Sequence, residues 1–247
     1  MPGSHNNLAD CNMILNTAVA KSLKNFSDAV EGAEDFRTAA SDYIRQTLSD
    51  HQRIIFNGNG YSEEGTQEAA RRGLANNKTT ASALPCYVAP KSIELFEEFD
   101  VLSEAEVRSR YEIKLGIYSK RINIETRVMR RMARRTFLPA INRYASEVAD
   151  SLIKYRALNP EGKAPSTERL YAKLMESIEE ITAALHKLDE SAVAATEIED
   201  EQAKADYYAN VVVPDMETLR AAVDFCETIT DRNYWPVPSY NNMLFYV

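Results

Sequence analysis

Five arginines between residues 127 and 135 are the densest group of side chains that could do chemistry: Arg127, Arg130, Arg131, Arg134 and Arg135. On a helix they would flank Met129 and Met132 and leave the opposite face basic. Arginine forks bind carboxylates and phosphates, so that these side chains could contact an anion or an acidic partner. The simpler interpretation, which we favour, is a solvated face that pairs with acidic helices of the same chain.

Other groupings that could support catalysis are sparse. The three histidines, at positions 5, 51 and 186, stand far apart, and the sequence holds no phosphate-binding P-loop, nucleophile elbow or zinc-binding His-Glu-x-x-His. Glu97, Glu98 and Asp100 cluster without a histidine, which favours a solvated helix end over a metal site. The run Asn57–Gly60 follows a helical pattern, which favours helix termination over phosphate binding. We therefore expect no catalytic, cofactor-binding or metal site here.

The composition excludes several classes of protein. The 247 residues include 37 acidic and 29 basic ones, a net charge of -8, which argues against a nucleic-acid or anionic-membrane binder. Cys11, Cys86 and Cys226 form no Cys-x-x-Cys pair, and no apolar run is long enough to cross a bilayer. The first residues do not read as a signal peptide. We expect a cytoplasmic protein with neither nucleic acid nor membrane as its partner.

Helical periodicity predicts the scaffold that must position these residues. Apolar stripes at spacings of three and four run along residues 170–188 and 212–226. Ser103 and Glu106 form a capping box that begins a long helix, which Pro139 should kink or end before the pattern resumes. Residues 190–210 could form a weaker helix. The pattern predicts an all-α fold, a long-helix bundle.

The two ends of the chain are less regular. Helices are expected at residues 11–30, 34–56 and 62–72, followed by an irregular, partly extended connection over residues 74–90. Prolines should keep the aromatic C-terminal tail extended. Aromatic tail residues mostly pack on their own domain and less often anchor a neighbouring subunit. The candidate interface residues, from the tail and from the broadly apolar first helix, are Met13, Ile14, Leu23, Trp235, Tyr240 and Phe245.

Several segments together resemble one family, the type III glutamine synthetases. They are the run Gln52–Glu64, Arg71-Arg72-Gly73-Leu74 with Lys78-Thr79-Thr80, Ser109–Ile113 with Ile122–Glu125 and Leu138-Pro139-Ala140, and the end from Trp235 to Phe245. The matches run in order over almost the whole chain. Gly65 and Gly116 depart from the family pattern, since tryptophan is common at the first position and a helix-forming residue at the second.

The resemblance implies a division of the chain and a role for it. Residues 1–30 are similar to the end of the family's catalytic domain, and residues 31–247 to its helical C-terminal domain. The catalytic barrel, with its ATP and Mg²⁺ or Mn²⁺, would lie upstream, so that this chain needs no cofactor of its own. The implied partners are the catalytic domain or other subunits in a homo-oligomer of this glutamate–ammonia ligase. The alternative is a stand-alone helical interaction module derived from that family.

Overall fold

The computed structural model describes residues 8–238 and 240–244, and every regular element within those ranges is helical. The predicted all-α fold class is confirmed. The helices are α1 (Ala9–Val30), α2 (Phe36–Asp50), α3 (Glu63–Arg71), α4 (Thr80–Ala83), α5 (Pro90–Glu98), α6 (Glu104–Met132), α7 (Leu138–Leu158), α8 (Pro165–Glu197), α9 (Glu201–Tyr207), α10 (Val213–Ile229) and α11 (Tyr240–Leu244). No helix in these ranges is both long and apolar enough to cross a membrane.

Contacts divide the chain into two compact units, Met1–Ile113 and Lys114–Val247, with the division inside α6. The core of unit 1 gathers side chains from α5, the turn before it and the start of α6: Tyr87, Ile93, Phe96, Leu102 and Val107. The predicted capping box begins α6, because the Ser103 N–H donates to Glu106 at 2.9 Å and the Glu106 N–H donates to the Ser103 hydroxyl at 3.4 Å. A domain boundary near residue 30 stays a prediction.

The second helix of unit 1 ends earlier than the sequence pattern predicted. The expected helix over residues 34–56 is α2, which begins at the N-cap Asp35, ends at Asp50 and is followed by a 3₁₀ turn at Gln52–Ile54. Left-handed glycines do not end it: within the described ranges only Gly32 and Gly73 have positive φ among the glycines. The expected role of Asn57–Gly60 in termination is therefore wrong, whereas Gly73 follows α3 as expected.

The connection over residues 74–90 is irregular as predicted up to Thr79, which is extended, but it is mainly helical from Thr80 onward. Thr79 and Ser82 form a reciprocal capping box that begins α4. A 3₁₀ helix, Leu84–Val88, follows it directly, with Pro85 in the first turn. Proline is tolerated there because the first-turn N–H has no acceptor within its own helix. The prolines of this segment start helical turns instead of preventing them.

Unit 2 is built on three long helices, with α8 packed against both α7 and α10. The two predicted stripes supply its core. Leu174 and Leu219, at the middle of each stripe, are completely or almost completely buried. α8 runs past the predicted end at Asp189 to Glu197, because Ser191, Ala192 and Ala195 are small enough to continue the buried face. A new helix then begins at the N-cap Asp200, whose side chain accepts from the Ala203 N–H at 2.7 Å.

Two prolines in unit 2, Pro139 and Pro214, stand in the first turn of an α-helix and do not end the helical run. Pro139 follows the π-helical segment Ala133–Phe137, and Pro214 follows the π-helical segment Tyr208–Val212. A proline ring normally clashes with the carbonyl four residues before it. In each case that residue belongs to the wider π turn, which displaces its carbonyl from the regular position. The chain continues as α7 and α10, so that Pro139 marks a local change of winding.

The C-terminal tail is only partly as predicted. Residues 235–238 have no helical conformation, but Tyr240–Leu244 forms the short helix α11, so that an extended tail is not confirmed. The side chain of Tyr240 and the whole of Phe245 lie outside the described residues. Trp235 packs against Phe137 with ring centroids 5.2 Å apart, and Tyr234 packs against Tyr144 at 5.4 Å. The beginning of the tail thus covers the core of unit 2.

Candidate interaction surfaces

The acidic cluster at the end of α5 has a structural role. The Glu97 carboxylate accepts from the Glu104 N–H at 3.1 Å, at the start of α6. Glu98 pairs with Lys21 of α1 at 2.6 Å. Asp100 adopts a left-handed φ of 50°, which aspartate tolerates at turns. No group of three metal-ligating side chains occurs in the described ranges.

The one buried thiol is a packing residue. Cys226 belongs to the core of unit 2 and is fully buried. Burial raises the pKa of its thiol, while a hydrogen bond with Ser177 acts in the opposite direction. A buried cysteine held as the neutral thiol is a poor nucleophile. Neither this thiol nor the acidic cluster forms a catalytic arrangement.

α1 carries an apolar face that its own unit leaves exposed. Met13 is half-buried against the core of unit 1, and Thr17 is buried beside it. Ile14 and Leu23 point away from that contact, and 63% of the Leu23 surface is exposed. Leu15 and Val19 lie exposed between them. Of the predicted interface residues in α1, only Met13 therefore packs within the chain, and the interface role of the others stays a prediction.

The basic segment divides into paired and unpaired arginines. Arg130 on α6 and Arg134 in the π segment both form ion pairs with Asp189 on α8. Their neighbours Arg127 and Arg131 are exposed, and neither has an ion-pair partner among the described residues. Of the four arginines predicted to contact an anion or a partner, Arg130 and Arg134 therefore pair with α8 of the same chain. The other two remain available to a partner.

Trp235 was predicted as a possible interface residue, and the structure places it on its own bundle. The indole ring is half-buried against the core of unit 2, next to Phe137. Tyr234 beside it donates a hydrogen bond to Glu147 on α7. These contacts hold the start of the tail against α7. Any part that Trp235 plays between subunits stays a prediction.

One groove in unit 2 was not predicted from the sequence. It lies between the end of α6 and α10, has a volume of about 630 Å³, and is lined mainly by apolar side chains that include Ile124, Val128, Met129, Met132, Met216 and Val223. The Thr126 hydroxyl on α6 lies 3.2 Å from the Met216 sulfur on α10, and this contact links the two walls of the groove. Methionines at 129, 132 and 216 were the only sequence signal, because flexible thioethers often line adaptable surfaces.

Comparison with known proteins finds that this helical framework is similar to part of the glutamine synthetases. Residues 39–156 match the family model of the glutamine synthetase C-terminal domain. The chain is 32% identical over 212 residues to a glutamine synthetase of Butyrivibrio fibrisolvens, and the alignment covers 86% of this chain and 30% of that protein. Over these residues the chain is similar to the glutamine synthetase C-terminal domain.

The proteins to which this chain is similar include an enzyme named as type-3. The chain is 31% identical over 240 residues to the type-3 glutamine synthetase of Dictyostelium discoideum, covering 94% of this chain and 33% of that protein. A glutamine synthetase of Bacteroides fragilis is 28% identical over 251 residues, with 98% and 34% covered. The expected resemblance to the type III enzymes is confirmed. The chain spans about a third of the length of these relatives.

Proposed function

We propose that this chain is the C-terminal helical region of a type III glutamine synthetase, where it supports the structure or assembly of the enzyme and is not catalytic by itself. The observation that carries the proposal is the alignment of 94% of the chain with a third of a type-3 enzyme. The intact enzyme would join ammonia to glutamate with ATP, through a γ-glutamyl phosphate. On this proposal ATP and Mg²⁺ or Mn²⁺ bind in a catalytic barrel, in a cytoplasmic oligomer.

The apolar face of α1 supports a docking role toward the catalytic domain. Leu15, Val19 and Leu23 are exposed along this helix. An exposed row of aliphatic side chains usually contacts another protein surface, because leaving it in water forgoes about 25 cal/mol for each Å² that could be buried. The resemblance assigns residues 1–30 to the end of the catalytic domain. We therefore assign this face to the contact with the barrel.

Reconstitution with a separately expressed type III catalytic barrel tests the proposal. The chain alone should show no ammonia-dependent hydrolysis of ATP. Mixed with the barrel, it should cosediment with it and increase its glutamine synthesis. ATP hydrolysis by the chain alone would contradict the non-catalytic role. A chain that neither binds the barrel nor changes its activity would favour the stand-alone interaction module.

A matched pair of variants on α1 locates the contact. Leu23→Glu places a charge on the exposed apolar face and should weaken binding to the barrel. Asn25→Glu adds the same charge at an exposed position on another side of the same helix and should leave binding unchanged. Both positions are exposed, so that circular dichroism of the two variants should match that of the unaltered chain. Equal binding by both variants would exclude this face as the contact.

A further inference from the structure

The outward side of α6 in unit 2 combines apolar and basic side chains on one face. We call this face the basic stripe; its members are Ile117, Lys120, Ile124, Arg127, Val128 and Arg131. Their spacings of three, four and seven residues keep them on one side of the helix. All six are exposed, and Ile124 is 63% exposed. The three cations have no ion-pair partner within the part of the chain that the structure describes, and the stripe contains no acidic residue.

The outward side of α8 combines apolar and acidic side chains in the same way. We call this face the acidic stripe; its members are Met175, Glu179, His186, Glu190, Val193 and Glu197. All are exposed, Val193 for 56% of its surface. Glu190 lies 3.5 Å from His186 inside the stripe, and no cation pairs with Glu179 or Glu197 within the described ranges. The acidic stripe thus has the opposite charge and the same helical spacing as the basic one.

Two ion pairs join the helices that carry the two stripes. Arg130 and Arg134 both contact Asp189. Arg130 and Asp189 each stand next in sequence to a member of a stripe, Arg131 on α6 and Glu190 on α8. The two helices are therefore neighbours at that level. Adjacent patches of opposite charge are self-complementary under two-fold rotation, because the rotation lays each patch of one copy on the other patch of its partner.

We propose that unit 2 forms a two-fold dimer in which the basic stripe of each copy binds the acidic stripe of the other. The proposal rests on the assembly role proposed above and names a second copy of this chain as the partner. Each contact would bury Ile124 and its aliphatic neighbours inside a rim of opposite charges. An apolar centre with a charged rim is the usual composition of protein interfaces.

Charge and apolar content favour a second copy over a polyanion. A nucleic acid would neutralise Arg127 and Arg131, but its phosphate backbone would leave Ile117 and Ile124 without apolar contact. The net charge of -8 would also repel a polyanion at a distance. The acidic stripe supplies carboxylates and aliphatic side chains together. It can therefore pair with the cations of the basic stripe and also cover its aliphatic side chains.

Sedimentation velocity of the full chain, without any barrel domain, tests the proposal. The unaltered chain should form a dimer that dissociates on dilution and weakens with added salt, because exposed charge pairs are screened. Arg131→Glu should weaken the dimer by about tenfold or more, since it places like charges together. Arg169→Glu makes the same change of charge at an exposed position of α8 outside the acidic stripe and should leave the dimer unchanged.

Two triple variants with reversed charges test the contact between whole stripes, without assuming which individual residues form pairs. One carries Lys120→Glu, Arg127→Glu and Arg131→Glu; the other carries Glu179→Lys, Glu190→Lys and Glu197→Lys. Each alone should be monomeric, since both of its stripes then have the same sign. An equimolar mixture should form a heterodimer, because opposite stripes meet again in both contacts.

The proposal is overturned if the unaltered chain stays monomeric at every concentration, or if either triple variant dimerises alone as well as the unaltered chain. A mixture of the triple variants that fails to associate also overturns it. So does a monomeric chain that binds anionic vesicles and loses that binding on Arg131→Glu. None of these experiments includes the barrel domain. A failure of the dimer proposal therefore does not decide the proposed function, which the reconstitution with the barrel tests separately.

Discussion

Gly65 and Gly116 are two helical glycines with different surroundings. A Cβ added at Gly65 would lie 2.3 Å from the Asn59 carbonyl oxygen, so that the close approach of the Asn57–Gly60 loop to α3 requires glycine. A Cβ at Gly116 would meet only a Glu201 side-chain oxygen, at 3.8 Å. The common family tryptophan at the first position could not fit this loop arrangement. Gly116 is not required by any close contact, and it lowers the stability of α6.

Alanine substitutions at these two glycines should change the free energy of unfolding in opposite directions. Gly116→Ala should raise the free energy of unfolding by about 0.5–1 kcal/mol, because alanine loses less backbone entropy in a helix. Gly65→Ala should lower it by about 1–3 kcal/mol, the range for forcing a side chain into occupied space. Urea denaturation of both variants measures the two changes. A gain in stability at Gly65 would contradict the close contact with Asn59.

Glu68 is the residue whose ionisation the fold changes most clearly. Side-chain hydrogen bonds from Arg71 and Arg72, each at 2.6 Å, lower its pKa from 4.5 to about 2. Arg72 also donates to the Ile55 carbonyl at 2.7 Å and lies over the Phe56 ring. The carboxylate thus helps to hold the loop between α2 and α3.

The lowered pKa predicts a loss of stability in acid. Because the folded pKa lies below the unfolded value, ionised Glu68 stabilises the fold above pH 4.5 and loses this effect as the pH falls from 4.5 toward about 2. Glu68→Gln should remove this contribution and flatten the pH dependence in that window. Denaturation at several pH values compares the two proteins, and an NMR titration of Glu68 that gives an ordinary pKa would contradict the prediction.

At the scale of the element, the stripes on α8 and α10 carry the stability of unit 2. Leu174→Ala and Leu219→Ala should each lower the free energy of unfolding by about 2–5 kcal/mol, because each leaves a cavity in a packed core. Leu158→Ala is the matched control, since this leucine is 88% exposed at the end of α7. Denaturant midpoints measure all three. Losses well below 1 kcal/mol at both buried positions would show that the helices are not packed as described.

At the scale of the whole molecule, the proposed division of labour makes a prediction about ligands. If ATP, metal and glutamate bind in a separate barrel, adding them to this chain should leave its Tm unchanged, because a ligand stabilises only the state that it binds. Thermal unfolding with ATP, Mg²⁺ and glutamate over a range of concentrations measures this. A Tm that rises steadily with nucleotide concentration would place a nucleotide site in this chain and contradict the proposed role.

Local pattern alone predicted most of the helical framework and its buried stripes, but not which distant residues meet each other. The stripes through Leu174 and Leu219 and the cap at Ser103 could be predicted because neighbours within one or two turns determine them. The early end of α2 and the pairing of Arg130 with Asp189 could not, because they depend on residues far apart in the chain. The groove between α6 and α10 was missed for the same reason.

The sequence by itself determined that the chain is helical, acidic and similar to type III glutamine synthetases, since periodicity, charge and motif order are properties of the linear chain. The tertiary structure decided which predicted faces are covered. It packed Met13 against the core of unit 1 but left Leu23 exposed, and within the described residues it paired Arg130 but not Arg131. It also placed Pro139 behind a π turn. The physical reason is that burial and ion pairing are set by which distant segments meet in space, whereas helix formation is set mainly by neighbours along the chain.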